Sequence, residues 1–414
     1  MYITVLCRVV DNYGDIGFAW RLCRRLAKIQ SQYKICLVLD DFEAFEKIEE
    51  GGLLCRRTAP VIASEAWQSQ IIEGIEIFKW QDNQYCHRIF SDNDGQRLQL
   101  ILELFQCGRP DWMERILFEE KLKRTVHIIM IDYLTAEKYA EDFHCLKSLT
   151  RSARVQKVNF MPGFTEHTGG LIIDEDWEKL PAYKADGDIL LFTYENDWRW
   201  LAAALKACAG ERNVLLAQGR GKESMITALR QVQEPQVQAQ ETKIIELPYL
   251  NQSAWDKMMK ACSLLIVRGE ESMSRACLSG IPFIWQAYPQ TEEYHLVKVK
   301  ALLERMRPHF SPQDFELVEK AWIMINGEGP FDKLRDHKLK LRDHESVVSL
   351  SNEVESLSNE VGSLSLSKGP YEEFFSNLKS LRTGFLSFAQ SLRKNGDLCT
   401  NLMTFINNID IIDK

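Results

Sequence analysis

The chain has 414 residues, with 51 Lys+Arg against 59 Asp+Glu and a formal net charge of −8. That balance argues against a protein whose main work is gripping a nucleic-acid backbone, which needs a basic face. A hydrophobic share of 45% supplies a sizeable core, and the length suggests two or three domains.

The chain opens with a short β-rich run, residues 2–10, and then a polar loop, Asp11-Asn-Tyr-Gly-Asp-Ile-Gly17. Helical spacing follows from Phe18 to Gln30, where Trp20, Leu22, Leu26 and Ile29 are mixed with arginines. Residues 34–40 read as the next strand, and 75–80, 99–105 and 125–131 as further ones. Strand, loop, helix, strand is the opening of an α/β sheet. Residues 51–72, with Gly51-Gly52, Arg56-Arg57 and Pro60, read as a surface insertion.

The pattern restarts after Pro181. Strands are expected at 187–195, 213–219, 242–250, 263–269 and 281–288. Helices are expected between them at 198–208, 223–232, 253–262 and 271–280. This is a run of βαβ units, hence a mostly parallel sheet with helices on both faces. The reading is two Rossmann-like domains facing a central cleft: 1–182, 183–390, and a segment 391–414 returning to the first. Ligands in such sheets sit at the C-terminal ends of the strands. Residues 331–368 are repetitive, with SLSNEVE at 349–355 followed by SLSNEVG at 356–362. They read as an insert without catalytic residues, either a short coiled-coil arm or a weakly helical segment. Helical patterns close the chain around 371–394 and 398–409.

Eleven cysteines are scattered and none forms a CxxC. Buried free thiols in a reducing compartment are expected, and no metal site. The N-terminus has no basic leader, and no stretch reaches the ~20 apolar residues of a membrane span. A cytoplasmic monomer is expected, with neither membrane nor nucleic acid among its partners.

Four constellations carry candidate chemistry. Asp11 precedes, and Asp15 lies within, a GxxG (Gly14 to Gly17) at a strand-to-helix junction, which is not the GxGxxG of a dinucleotide fold. They are either turn and cap residues or carboxylates held beside a ligand. Arg268-Gly-Glu270-Glu271-Ser272 joins another strand to a helix; it is either an N-capped acidic turn or a phosphate site built from Arg268, Ser272 and helix N–H groups. Tyr288-Pro-Gln290 precedes Glu292, Glu293 and His295, where the histidine reads more simply as structural than as catalytic. Phe192 and Tyr194 end a strand, and Tyr249 and Gln252 follow another. They are core residues or a set that stacks on a base and reads a pyrimidine edge. Acids on one half and an anion-and-base set on the other suit a sugar-nucleotide transferase in which Arg268 and helix N–H groups neutralise the leaving diphosphate.

DNYGDIGFAWRL (11–22), PGFTEHTGGL (162–171), LFTYEN (191–196), LPYLNQ (247–252), VRGEES with Arg275-Ala276, GIPFIWQAYPQTEEYHLVK (280–298) and DLCTNL (397–402) resemble the protein-arginine rhamnosyltransferases that modify bacterial elongation factor P. The resemblance implies a GT-B glycosyltransferase. It implies inverting transfer from dTDP-β-L-rhamnose, without a further cofactor, to one arginine of elongation factor P, which rescues ribosomes stalled at proline runs. It places the paired acids at Asp11 and Asp15, the second as catalytic carboxylate. It places donor contacts at Phe192, Tyr249, Gln252, Arg268, Glu270, Ser272 and Tyr288, and the junctions themselves add Tyr194 and Glu271. Glu271 stands where the family usually has Asp, Tyr249 for Phe, Gln286 for His and Ile131 for Trp. Two other readings remain: a transferase with a small-molecule acceptor, and a silent binder of elongation factor P.

Overall fold

A computed structural model describes residues 1–9, 13–50, 70–91, 93–120, 122–181, 184–232, 243–327 and 369–412. The repetitive 331–368 segment, Asp11 and most of 51–72 lie outside the described residues.

The first half is built on β1 (Tyr2–Cys7), α1 (Tyr13–Ile29), β2 (Lys34–Leu39), α2 (Phe42–Glu50), β3 (Gln70–Ile72) and β4 (Ile75–Lys79). It continues through α3 (Asn83–Ser91), β5 (Leu100–Leu104), α4 (Asp111–Phe118), β6 (Val126–Ile131), α5 (Tyr139–Phe143), β7 (Lys147–Ser148) and β8 (Val155–Asn159). The sheet order is β3-β4-β2-β1-β5-β6-β8-β7. The inner strands are parallel; β3 and β7 are antiparallel edges. Ile3, Val5 and Leu6 are fully buried, as a central strand covered on both faces requires.

A connector carrying α6 (Glu175–Lys179) leads to the second half. There β9 (Ile189–Leu191), α7 (Arg199–Cys208), β10 (Val214–Leu216), α8 (Lys222–Gln231), β11 (Ile244–Glu246), α9 (Gln252–Ala261), β12 (Leu264–Arg268), α10 (Glu270–Ser279) and β13 (Phe283–Gln286) alternate. The five strands lie all parallel in the order β11-β10-β9-β12-β13. Helices α11 (Tyr294–Met306), α12 (Pro312–Ile325), α13 (Pro370–Ser376) and α14 (Leu378–Lys394) complete this half's core.

The chain then crosses back. Helix α15 (Leu398–Ile412) sets Leu398, Leu402, Met403 and Ile406 among Ile3, Val5, Ile16 and Trp20 of the first half. The crossing is pinned by Leu398 N–H on Leu171 O at 2.8 Å, Ile173 N–H on Asp397 Oδ1 at 2.8 Å, and Arg25 on Asp397 at 3.2 Å.

Three sequence readings need correction. Helix α1 starts at Tyr13 rather than Phe18, so Asp15 and Gly17 lie inside it. A carboxylate in the first turn favours that earlier start. Residues 70–72 are not insertion but the sheet's edge, paired with 75–77. The β7–β8 hairpin was missed because Lys147-Ser148 and Val-Gln-Lys-Val-Asn have little apolar pattern to read. Among the cysteines, Cys7, Cys23, Cys36, Cys86, Cys262, Cys277 and Cys399 are buried free thiols. Burial pushes Cys36, Cys86 and Cys262 up to about 12. Among the described residues no helix is long and apolar enough to cross a membrane.

Candidate active site between the two halves

The C-terminal ends of both sheets face one cleft. From the first half, the loop after β1 delivers Asp15 in the first turn of α1, 3% exposed. Beside it, Phe18, Phe105 and Tyr133 form an aromatic wall. The Phe105 and Tyr133 rings stack at 4.4 Å, and Phe18 packs on Phe105 at 5.3 Å. Phe105 and Gln106 hold φ of 54° and 53°, a left-handed pair that ends β5 at the cleft wall.

From the second half, β12 ends at Arg268, and Gly269 turns the chain into α10 with φ 71° and ψ 162°. That conformation belongs to glycine. Arg268 is 8% exposed, and its guanidinium lies 4.5 Å from the Phe192 ring centre and 4.4 Å from that of Tyr194. Its Nε is buried and has no hydrogen-bond partner among the described residues. Gly219 closes this nest: a Cβ there would stand 3.2 Å from Phe192 and 3.3 Å from Arg268. Tyr194 is fixed by its own N–H on Gln286 Oε1 at 2.7 Å and packs edge-on against the exposed Tyr288 at 5.3 Å. Gln286, read as a departure from the family, thus holds the aromatic in place.

The cleft proper has a volume of about 370 Å³ and is lined by Asp15, the aromatic wall, Glu270 and Tyr288. A recess of about 170 Å³ opens from it, lined by Phe192, Tyr249, Gln252, Trp255, Arg268 and Ser272. Gly14, Tyr194, Gly269 and Glu271 border both. Asn251 caps α9, so Gln252 opens the helix at the recess. The Gln252 Nε2 donates to Gly17 O at 2.5 Å, and its Oε1 is left a buried acceptor without a protein partner among the described residues.

The structure therefore gathers Asp15, Phe192, Tyr194, Tyr249, Gln252, Arg268, Glu270, Glu271, Ser272 and Tyr288 around one cleft. Asp11 lies outside the described residues. Glu271 differs from its reading as a plain donor contact. Its carboxylate accepts from Arg21 Nε at 2.6 Å, so much of its charge is engaged within the protein. Glu270 faces Lys298 Nζ at 3.6 Å. His295 is buried: Gln290 N–H donates to Nδ1 at 3.3 Å, and Nε2 bonds Asn326 O at 2.9 Å, so the ring pins the loop after β13. Sequence reasoning missed Arg21, Gly219, Phe105, Tyr133 and Lys298. Arg21 offered one signal: it shares a helix face with Gly17, one turn earlier.

The model of the elongation factor P rhamnosyltransferase EarP family matches residues 3–407. The chain belongs to this family. It is 30% identical over 350 residues to a protein-arginine rhamnosyltransferase of Pseudomonas aeruginosa, covering 78% of this chain and 87% of that one. A protein of the same name from Shewanella oneidensis is 28% identical over 359 residues, covering 78% and 84%. A solved structure described as the basis for EarP-mediated arginine glycosylation of elongation factor P aligns with a TM-score of 0.53 at 18% identity, covering 98% of this chain and 99% of that one. This EarP-family chain is a glycosyltransferase with the GT-B fold: two mostly parallel sheets whose C-terminal edges share one cleft. In it, β1–α1 and β12–α10 are the two junctions that bring chemistry together.

Proposed function

We propose that this enzyme transfers L-rhamnose from dTDP-β-L-rhamnose, with inversion, to an arginine side chain of elongation factor P. Activation of that factor for ribosomes stalled at proline runs would follow. The observation that carries the reading is the pairing across one cleft of a buried carboxylate, Asp15, with a buried and hydrogen-bond-hungry cation, Arg268.

The donor's parts have places. Its diphosphate suits Arg268, Ser272 and the first-turn N–H groups of α10, and no resident cofactor is needed to neutralise the leaving charge. Its base suits the recess beside Tyr249, where Gln252 Oε1 would accept from the N3–H of thymine. Cytosine has no proton at N3, so its ring nitrogen would face that acceptor with a lone pair. Its sugar then reaches the cleft wall at Asp15.

An arginine guanidinium has a pKa near ~12.5–13.8 and is a poor nucleophile when protonated. Asp15 orients one nitrogen at the anomeric carbon and takes its proton as the C–N bond forms. The C–O bond to dTDP breaks on the opposite face, which inverts the centre. Asp11 is assigned to the same guanidinium through the family resemblance.

The test is intact-protein mass spectrometry of the same organism's elongation factor P after incubation with enzyme and dTDP-β-L-rhamnose. A gain of one deoxyhexose on an arginine is expected. Asp15→Asn should lose at least ~100-fold in rate while still binding dTDP. No gain despite donor binding would move the reading to a small-molecule acceptor or a silent binder.

A further inference from the structure

Behind the cleft, one arginine joins the two halves. Arg21 of α1 has a side chain only 7% exposed. Its Nε donates to Glu271 at 2.6 Å; Nη1 and Nη2 donate to Asp256 of α9 at 2.7 and 3.1 Å; Nη1 also reaches Asp174 of the connector at 3.4 Å. Asp174 is held in turn by the fully buried Arg275 at 2.8 Å. One turn nearer the cleft, Gly17 gives its carbonyl to Gln252, and a Cβ on Gly17 would already touch Glu271 Cγ at 3.7 Å. Thus α1 lies directly on α9 and α10 there. Arg21 is six residues from Asp15 on the same rigid helix, about 9 Å along its axis.

We propose that Arg21 is a positioning residue that fixes the Asp15 turn of α1 opposite the donor-binding first turn of α10. This rests on the reading that the donor's diphosphate sits at α10. A planar fork suits the task, because a single guanidinium meets carboxylates on two helices at once. Glu271 belongs to this clasp, and its length matters: the carboxylate must reach back from the cleft to Arg21 Nε. A misplacement of about 1 Å between acid and donor costs on the order of 100-fold in rate.

The test compares Arg21→Gln, Arg21→Lys and Glu271→Gln with wild type. At saturating donor and acceptor, Arg21→Gln should lose at least tenfold in kcat, while dTDP affinity by calorimetry stays within threefold. Arg21→Lys should recover part of the loss. Glu271→Gln, whose amide oxygen still accepts from Arg21, should lose less than Arg21→Gln. Hydrogen exchange of residues 13–21 with dTDP bound reads the clasp without turnover and should quicken in Arg21→Gln. An unchanged kcat with unchanged exchange in Arg21→Gln overturns the proposal. So does a loss of kcat and dTDP binding in the same proportion, tracking unfolded protein, which marks a merely structural role. A Glu271→Gln loss as deep as that of Arg21→Gln would place Glu271 in the chemistry and out of the clasp. If wild type binds dTDP but leaves elongation factor P unmodified, the acceptor reading fails, and the exchange result still decides the clasp.

Discussion

Arg268 sets its guanidinium against two aromatic rings, with its Nε unpaired among the described residues. Buried donors of that kind are costly unless a ligand satisfies them. Replacement by alanine should therefore weaken dTDP by about 2 kcal/mol, roughly thirtyfold in Kd. Equal affinity by calorimetry would remove Arg268 from the anion site. Asp174 makes the opposite case, a half-buried carboxylate with its partners in place. Burial alone would raise its pKa, but Arg275, the Trp177 N–H and Arg21 outweigh that and hold it below the ordinary carboxylate value. Its contribution to stability is thus present at neutral pH and down to the unfolded carboxyl value near ~4, and is lost as pH falls through the lower folded value. Asp174→Asn should cost about 3 kcal/mol in urea unfolding at pH 7 and flatten the loss of stability below pH ~4. A variant as acid-sensitive as wild type would assign that sensitivity to other carboxylates. Arg21 shows the limit of reading such residues from sequence. Beside Arg24 and Arg25 it looks like one more charge on a wet helix face, and only the carboxylates from positions 174, 256 and 271 make it a core residue.

Helix α10 depends on a single backbone conformation at its entry. With φ 71° and ψ 162°, Gly269 occupies a region almost closed to other residues. Gly269→Ala should cost about 1–3 kcal/mol of stability and weaken dTDP in parallel, since the turn aims the first N–H groups of α10. A variant as stable as wild type in denaturant would show that the turn relaxes freely. Elements of this kind were legible unevenly. Strands β1, β2, β9 and β12 announce themselves because a parallel strand covered on both faces reads as an unbroken apolar run. The second-half strands came out shorter than their apolar runs: only Ile189–Leu191 of 187–195 is paired as strand, and Phe192 and Tyr194 then leave the sheet for the cleft. The start of α1 was hidden because Asp11–Gly17 has the composition of a turn. What the helix gains there, the bond from Gln252 to Gly17, comes from 235 residues away. Local pattern cannot encode such a contact. His295 was legible as structural, and its ring bonds place it so.

At the scale of the whole molecule, the chain crosses between halves through the connector around Asp174 and again at Gly396–Asp397, and both crossings tie to α1 through Arg21 and Arg25. The second crossing exists to deliver α15. Leu398, Leu402, Met403 and Ile406 are each at most 3% exposed, and their burial contributes about 6–12 kcal/mol. That is as much as a whole domain's net stability. Ending the chain at Asn395 should therefore unfold the first half while leaving the second half's sheet intact. Hydrogen exchange would show β1 unprotected and β12 protected; protection of both would overturn this account. The same helix sets a timetable for synthesis. Ribosomes add roughly 5–20 residues per second, so the first half's strands wait on the order of 10–50 s before α15 emerges. For that interval the cluster around Ile3, Val5 and Trp20 lacks the apolar side chains that α15 supplies. The half that is made first is the half that is finished last, and a chaperone that shields apolar surface would find its longest opportunity there.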